Sequence, residues 1–213
     1  MTLDNVTVIY FVALITAIIL HEISHGVVAL WFGDDTAKRA GRLTLNPVPH
    51  IDPLGSIILP AFGALTGAPV IGWAKPVPVN PNRLRHKRRD MLIVSLAGPG
   101  TNFVLAAISA VIARELYHGE FFNSLSDLPL RVLIPLQFAV VNLFLGIFNF
   151  LPIPPLDGSS LVERALPEKY LPRWYQFRQY GFLILFALVF YTGIVGTIFN
   201  PFLDRLYNFV LGV

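Results

Sequence analysis

Long apolar stretches separated by short charged segments dominate the chain. Four of them, at residues 6–32, 91–113, 132–156 and 179–203, exceed the roughly 20 residues that a membrane-spanning helix needs. The last three contain no Asp, Glu, Lys or Arg. This pattern predicts an all-α polytopic membrane protein with about four full spanning helices. The mixed polarity of residues 204–211 predicts a short interfacial helix after the last span.

A fifth uncharged stretch, residues 53–74, is rich in glycine and proline, which suit a straight helix poorly. Basic residues lie on both sides of it, and six of them fall between residues 75 and 89. Positively charged loops stay on the cytoplasmic side of a membrane. Both flanks should therefore be cytoplasmic, which predicts a re-entrant or strand-like membrane element at residues 53–79. A full fifth span is the alternative that the length permits.

The composition agrees with a membrane protein. Hydrophobic residues make up 54% of the chain and charged residues 14%, against roughly 25% charged residues in soluble domains. The sequence has no cysteine, which excludes a disulfide scaffold and a cysteine-ligated metal site. Membrane topology explains the net charge of +3 better than nucleic-acid binding does. We expect a single integral-membrane domain over residues 1–213, a lipid environment and no nucleic-acid partner.

Three ionisable side chains lie inside the first apolar stretch, where they are costly and normally mark function. His21, Glu22 and His25 form the pattern H-E-x-x-H. On a helix, histidines four residues apart share one face, so both imidazoles can bind one metal ion. Zinc suits two imidazoles and an oxygen ligand, and Glu22 is placed to deprotonate a water. A polar helix–helix contact is the alternative, but it leaves the metal spacing unexplained.

A catalytic zinc site needs a third protein ligand, and Asp157 is the best candidate. It follows an uncharged stretch that prolines end, and Gly158 permits a sharp turn after it. If residues 53–74 do not cross the membrane, the predicted helices bring His21, His25 and Asp157 toward one cytoplasmic face.

Other polar residues are weaker candidates for this site. His50 and Asp52 are interpreted as a turn and its cap, because Asp before Pro suits turn initiation. A role as a gate or as a partner of a zinc ligand is the alternative for both. His86 lies among basic residues that would repel a cation, and His118 lies in the loop assigned to the opposite side.

These motifs resemble those of the site-2 protease family of intramembrane zinc metalloproteases, in its short prokaryotic form. The resemblance rests on H-E-x-x-H at residues 21–25 and on residues 149–158 (NFLPIPPLDG), which are similar to the family's N-x-x-P-x-x-x-x-D-G. Residues 72–79 (GWAKPVPV) and 97–102 (AGPGTN) also resemble the family. We expect neither a PDZ domain nor a regulatory nucleotide-binding domain, since the length leaves no room for one.

The resemblance implies an enzyme that cleaves transmembrane segments of membrane proteins. One Zn²⁺ per chain would be held by His21, His25 and Asp157, with Glu22 as the catalytic base. Asn149 corresponds to a family asparagine that helps to hold the substrate or the developing oxyanion. Its alternative is a polar helix–helix hydrogen bond, a common role of membrane asparagines. We prefer that second role for two further residues, Asn102 and Asn142.

The resemblance also implies an organisation and a location. A catalytic core over residues 6–160 would be followed by a C-terminal helix at about residues 179–203. Residues 72–79 would pair with an unwound transmembrane substrate. We expect a multi-pass protein of the cell membrane, with its active site toward the cytoplasmic side.

Two other functions compete with the protease. The first is a catalytically inactive zinc-binding membrane chaperone or pseudoprotease, which binds helices without cutting them. The intact Glu22 beside the metal motif favours the enzyme. The second is a metal-ion transporter, which needs a chain of intramembrane carboxylates that the last three spans lack.

Overall fold

Three long helices form the body of the protein in the computed structural model, which describes residues 5–58, 62, 65, 73–119 and 122–212. They are α1 (Asn5–Trp31), then, after the short α2 (Thr36–Arg39), α3 (Lys87–Leu116) and α4 (Leu130–Phe150). Each of the three is long and apolar enough to cross a membrane. This confirms the predicted all-α polytopic fold.

Shorter elements follow and connect these helices. After α4 come α5 (Ser159–Ala165), α6 (Leu171–Arg178), α7 (Gly181–Tyr191) and α8 (Ile194–Leu211). Single turns of other helix types lie at Val48–His50, Pro53–Ile58, Pro81–Arg83, Leu125–Asp127 and Glu168–Tyr170. Residues 73–80 form no helix and join no β-sheet within the described part of the chain, and their two prolines favour an extended backbone.

Small residues let the three long helices approach each other closely, as is usual between membrane helices. Ala13 and Ala17 of α1 pack against Val141 of α4. The C-terminal end of α3, at Ala110, packs against the N-terminal half of α4 at Leu133. The neighbouring helices are antiparallel, so α1 and α4 run in the same direction. Their C-terminal ends therefore meet on one side of the bundle.

The two ends of the predicted re-entrant element lie side by side. The Trp73 N–H donates to the Gly55 carbonyl (3.2 Å), and Ser56 Oγ donates to the Trp73 carbonyl (2.8 Å). A single crossing of the membrane would separate the ends by roughly 30 Å. The contacts therefore agree with a segment that enters and leaves on one side. Most of the element itself, residues 59–61, 63, 64 and 66–72, lies outside the described residues.

The C-terminal span differs from the single continuous helix expected at residues 179–203. It consists of α7 and α8, which meet at an angle of 67°. The chain turns at Gly193, whose φ of +64° is in the left-handed region that glycine adopts readily. Neither a charge nor a proline interrupts the apolar run at this point, so the hydrophobic pattern predicts no break there.

Residues 204–211 were expected to form a separate interfacial helix. In the structure they are the C-terminal part of α8. Leu206, Val210 and Leu211 are buried where the C-terminal end of α3 packs against the N-terminal half of α4. At its other end, Ile194 and Ile198 face Phe148 of α4. The tail is therefore the last part of a helix packed along α4, because apolar residues one turn apart give it a buried face.

Candidate metal centre

The two histidines of α1 present their Nε2 atoms in the same direction. His21 Nδ1 lies 2.5 Å from Asn102 Oδ1 of α3, and His25 Nδ1 lies 2.7 Å from the Val94 carbonyl. Both partners are acceptors, so each Nδ1 carries the ring proton and donates it. In a neutral ring with its proton on Nδ1, Nε2 keeps its lone pair, which is the form that binds metals.

A carboxylate from the other side of the bundle completes the group. The His21 and His25 Nε2 atoms are 3.0 Å apart, and Asp157 Oδ2 lies 3.1 Å from the first and 3.3 Å from the second. Ligands that bind zinc tetrahedrally at 2.0–2.1 Å lie about 3.3 Å from each other. The three atoms thus have the spacing of one face of a zinc coordination tetrahedron.

The chemistry of this group fits a cation. Asp157 Oδ2 is buried and has no hydrogen-bond donor among the described residues, an arrangement that is costly for an acceptor. A metal ion would satisfy all three acceptors at once, and two nitrogens with one oxygen are a ligand set that zinc accepts.

Asp157 reaches the histidines because the loop after α4 folds back on the end of that helix. The Gly158 N–H donates to the Asn149 carbonyl (2.7 Å), and a side chain on Gly158 would collide with the Phe150 carbonyl. On the far side of the loop, Arg88 of α3 donates to three carbonyls at the end of α5, those of Glu163 (2.8 Å), Arg164 (3.2 Å) and Leu166 (2.6 Å). The loop is thus fixed at both ends.

The backbone of α3 passes beside the two histidine Nε2 atoms at Gly98. A Cβ atom there would lie 2.5 Å from His25 Nε2 and 2.6 Å from His21 Nε2. Any larger residue would therefore take up the space beside the two ligand atoms. Gly98 lies in the stretch 97–102 that resembles the family, but the residue pattern alone predicts no role for this glycine.

Two buried side-chain amides form a hydrogen-bonded chain on the Nδ1 side of His21. Asn102, which accepts from His21, donates through Nδ2 to Asn142 Oδ1 of α4 (2.8 Å), and Asn142 Nδ2 donates to the Phe138 carbonyl (2.8 Å). Both asparagines are fully buried. The interpretation as a helix–helix contact holds for Asn142, but it missed the second contact of Asn102. No spacing rule identifies a residue 81 positions from its histidine.

Other residues singled out from the sequence take up different places. Glu22 Oε2 accepts a hydrogen bond from the Val77 N–H (2.7 Å), which brings the extended segment 73–80 against α1. Asn149 donates through Nδ2 to the Leu145 carbonyl of its own helix (3.1 Å). His50 is buried with its Nε2 on the Thr44 carbonyl (3.0 Å), outside the metal-binding group.

Asp52 lies in the turn that was expected from its position before a proline. Its side chain accepts from the backbone N–H groups of Leu54 (3.0 Å) and Gly55 (2.8 Å). Among the described residues, His21, His25 and Asp157 are the three that come together as a metal-binding group. Asp52 therefore caps a turn.

Comparison with known proteins identifies the family. The family model for peptidase family M50 matches residues 129–192, a range that includes α4 and Asp157. The chain is 37% identical over 198 residues to "Putative zinc metalloprotease YwhC" of Bacillus subtilis, which covers 91% of this chain and 84% of that protein. The chain belongs to peptidase family M50.

Further relatives of this M50 peptidase are more distant or longer. "Putative zinc metalloprotease Rip2" of Mycolicibacterium smegmatis is 33% identical over 80% of this chain and 62% of its own length. "Zinc metalloprotease MJ0392" of Methanocaldococcus jannaschii is 23% identical over 76% of this chain and 35% of its own length. No solved structure matches the chain significantly. The family confirms the resemblance to site-2 proteases and supports a zinc metalloprotease with membrane-spanning helices.

Proposed function

We propose that this protein is an intramembrane zinc metalloendopeptidase that cleaves transmembrane segments of other membrane proteins. One observation carries the proposal: three possible metal-ligand atoms, on His21, His25 and Asp157, converge next to Glu22 inside a bundle of apolar helices. Membership of a family of zinc metalloproteases supports it.

His21, His25 and Asp157 would hold one zinc ion per chain. When bound, zinc supplies a Lewis acid that lowers the pKa of a water molecule and polarises a carbonyl group. Three protein ligands are the usual number for a catalytic zinc site, since they leave one position for water or substrate.

Glu22 is the general base in this proposal. It takes a proton from the attacking water and passes it to the leaving amine. Its place on α1 directly after His21 keeps the carboxylate beside the site without making it a ligand. Asn149 has two amide protons, and the bond to Leu145 uses one of them. The second is left to donate to the substrate or the developing oxyanion, the role that the family resemblance implies.

The site lies inside the bilayer but close to one of its faces. His25 is six residues before the end of α1 at Trp31, or about 9 Å at 1.5 Å per residue. Basic residues cluster in the loops beyond this end, with six of them between residues 75 and 89. We therefore place the site near the cytoplasmic face of the cell membrane. Water can reach it there without crossing the bilayer, and a transmembrane helix can approach it from the side.

Cleavage of a membrane-helix reporter by the purified chain in lipid vesicles tests the proposal. The wild type should cut the reporter, and Glu22→Gln should cut none while it keeps its zinc. His21→Ala should lose both zinc and activity. Equal product from the wild type and Glu22→Gln would exclude Glu22 as the base. A wild-type protein that binds zinc and the reporter but never cuts it would instead be the inactive chaperone.

A further inference from the structure

Glu22 is tied to a part of the chain that lies 55 positions away, the extended segment 73–80. The Val77 N–H donates to Glu22 Oε2 at 2.7 Å. The bond uses one carboxylate oxygen and leaves the other to take up a proton. A glutamate has three rotatable side-chain bonds, and such side chains are expensive to immobilise. A hydrogen bond from a backbone amide to a charged carboxylate is one of the stronger ways to fix it.

The residues around Val77 make its N–H a rigid donor. Pro76 and Pro78 have no N–H, so Val77 carries the one amide proton between Lys75 and Val79. Proline fixes its own φ and pushes the residue before it into extended conformations. The direction of the Val77 N–H is therefore largely set by the backbone that carries it.

The segment comes close enough to α1 because a glycine faces it. Gly26 lies one turn after Glu22 on the same face of the helix. A Cβ atom on Gly26 would lie 3.0 Å from Val77 Cγ1 and 2.5 Å from Leu43 Cδ2. The side chain of Val77 is buried in this contact. The packing thus directs the Val77 side chain along α1 and its N–H onto the carboxylate.

Buried polar groups hold the segment on either side of Val77. Arg42 Nη2 donates to the Lys75 carbonyl (2.5 Å), and the Asn80 N–H donates to Asp34 Oδ2 (2.6 Å). Arg42 is 6% exposed and Asp34 is 0% exposed. Burial of charged side chains is costly, and here each one bonds to the backbone of the segment. Both contacts restrain the position of the peptide that carries the Val77 N–H.

We propose that segment 73–80 positions the general base: the Val77 N–H orients the Glu22 carboxylate, and Arg42 and Asp34 are positioning residues that hold the segment in register. The proposal rests on the role of Glu22 in the proposed function. It assigns the segment a part in the chemical step, in addition to any part in holding substrate.

Removing one proton from the backbone tests the central contact. Val77→Pro deletes the N–H and continues a run of prolines, whereas the matched control Val77→Ala keeps the N–H and shortens the side chain. A hydrogen bond to a charged group is worth roughly a tenfold change in rate or more. Val77→Pro should therefore lower kcat at least about tenfold more than Val77→Ala does, with KM and zinc content unchanged, because the alanine variant loses side-chain packing but keeps the N–H. An unchanged kcat, or a loss confined to KM, would overturn the proposal.

Hydrogen exchange tests the same contact without any enzyme assay. Because its proline neighbours have no amide, Val77 carries the one backbone amide between Lys75 and Val79, and its exchange is followed as a single resolved amide resonance. The Val77 amide should exchange at least about tenfold more slowly in the wild type than in Glu22→Ala. Equal exchange in both proteins would show that the contact does not form. This result stands whether or not the wild type cleaves a substrate, so it separates this proposal from the proposed function.

Arg42 provides a second pair of variants in case Val77→Pro does not fold. Arg42→Met removes the donor to the Lys75 carbonyl and should lower kcat at unchanged zinc content. Arg42→Lys keeps a donor and should restore most of the lost kcat, which a merely space-filling role would not do. Wild-type kcat in Arg42→Met would exclude Arg42 as a positioning residue.

Discussion

Replacing Asn102 by leucine removes the hydrogen-bond acceptor of a candidate metal ligand and leaves the ligand itself in place. Asn102 is 0% exposed. It accepts from His21 Nδ1 at 2.5 Å and donates to Asn142 Oδ1 at 2.8 Å. Leucine has a similar volume, so the change acts mainly through these two bonds. Without its acceptor, the His21 ring loses the contact that sets both its orientation and its protonation state.

The size of the effect follows from these two contacts. Loss of the group that orients a metal-binding histidine typically weakens metal binding about 10–100-fold. We expect the zinc Kd of Asn102→Leu to rise by that factor. The variant also leaves the His21 N–H and Asn142 Oδ1 buried without partners, at about 1–3 kcal/mol each. The free energy of unfolding should therefore fall by about 2–6 kcal/mol.

Asn142→Leu is the matched control, because it breaks the same amide chain one step further from the metal. His21 keeps its acceptor in this variant, so stability should fall while zinc affinity stays close to the wild type. Asn102→Asp keeps an acceptor facing His21 and should retain most of the affinity. The assay is competition for zinc against a chromophoric chelator, with thermal unfolding measured in parallel. Equal zinc affinity in Asn102→Leu and Asn142→Leu would refute the role of Asn102 in orienting His21.

Three further predictions test the site and its place in the membrane. Asp157→Ala should lower the zinc content of the purified protein, and full retention of zinc would mean that Asp157 is not the third ligand. Gly98→Ala should weaken zinc binding about tenfold or more, because the new methyl group would lie beside both Nε2 atoms and overpacking costs about 1–3 kcal/mol. Unchanged zinc binding would contradict the close approach of α3. In intact cells, an impermeant thiol reagent should label a cysteine at Ser126 but not one at Lys38, Arg85 or Lys169. Because α3 and α4 both lie between Arg85 and Lys169, labelling at these two positions but not at Lys38 or Ser126 would mean that residues 53–74 cross the membrane.

The sequence was sufficient for the parts of the protein that depend on local pattern. Three of the four apolar stretches correspond to α1, α3 and α4, because hydrophobic length alone decides what can cross a bilayer. The structure brings together His21, His25 and Asp157, the candidate metal ligands picked from helical spacing and from topology. The break between α7 and α8 was not predicted, since one left-handed glycine in an apolar run leaves hydrophobicity unchanged.

The supporting contacts depend on how helices rotate and on how deeply each one lies, which a single sequence does not encode locally. From the sequence, Asn102 is an ordinary asparagine in a membrane helix. Only the position of α3 in the structure shows that its side-chain oxygen faces His21. From the sequence, Val77 is one residue of a possible edge strand. Only the packing of its segment on α1 shows that its N–H donates to Glu22. In both cases the residue type was unremarkable, and the contact joins parts of the chain that are far apart in sequence.

The candidate site depends on three close approaches between segments of the chain, and each one occurs at a glycine. Gly26 lets segment 73–80 approach the helix that carries Glu22, Gly98 lets α3 approach the two imidazoles, and Gly158 lets the loop of Asp157 fold onto the end of α4. All three have negative φ, so what each position requires is space and not an unusual backbone conformation. Helices gain little from hydrophobic exclusion within a bilayer, and close packing with hydrogen bonds must hold them together instead. The same close approaches that hold the bundle together therefore also bring the base and the metal-binding group into one place.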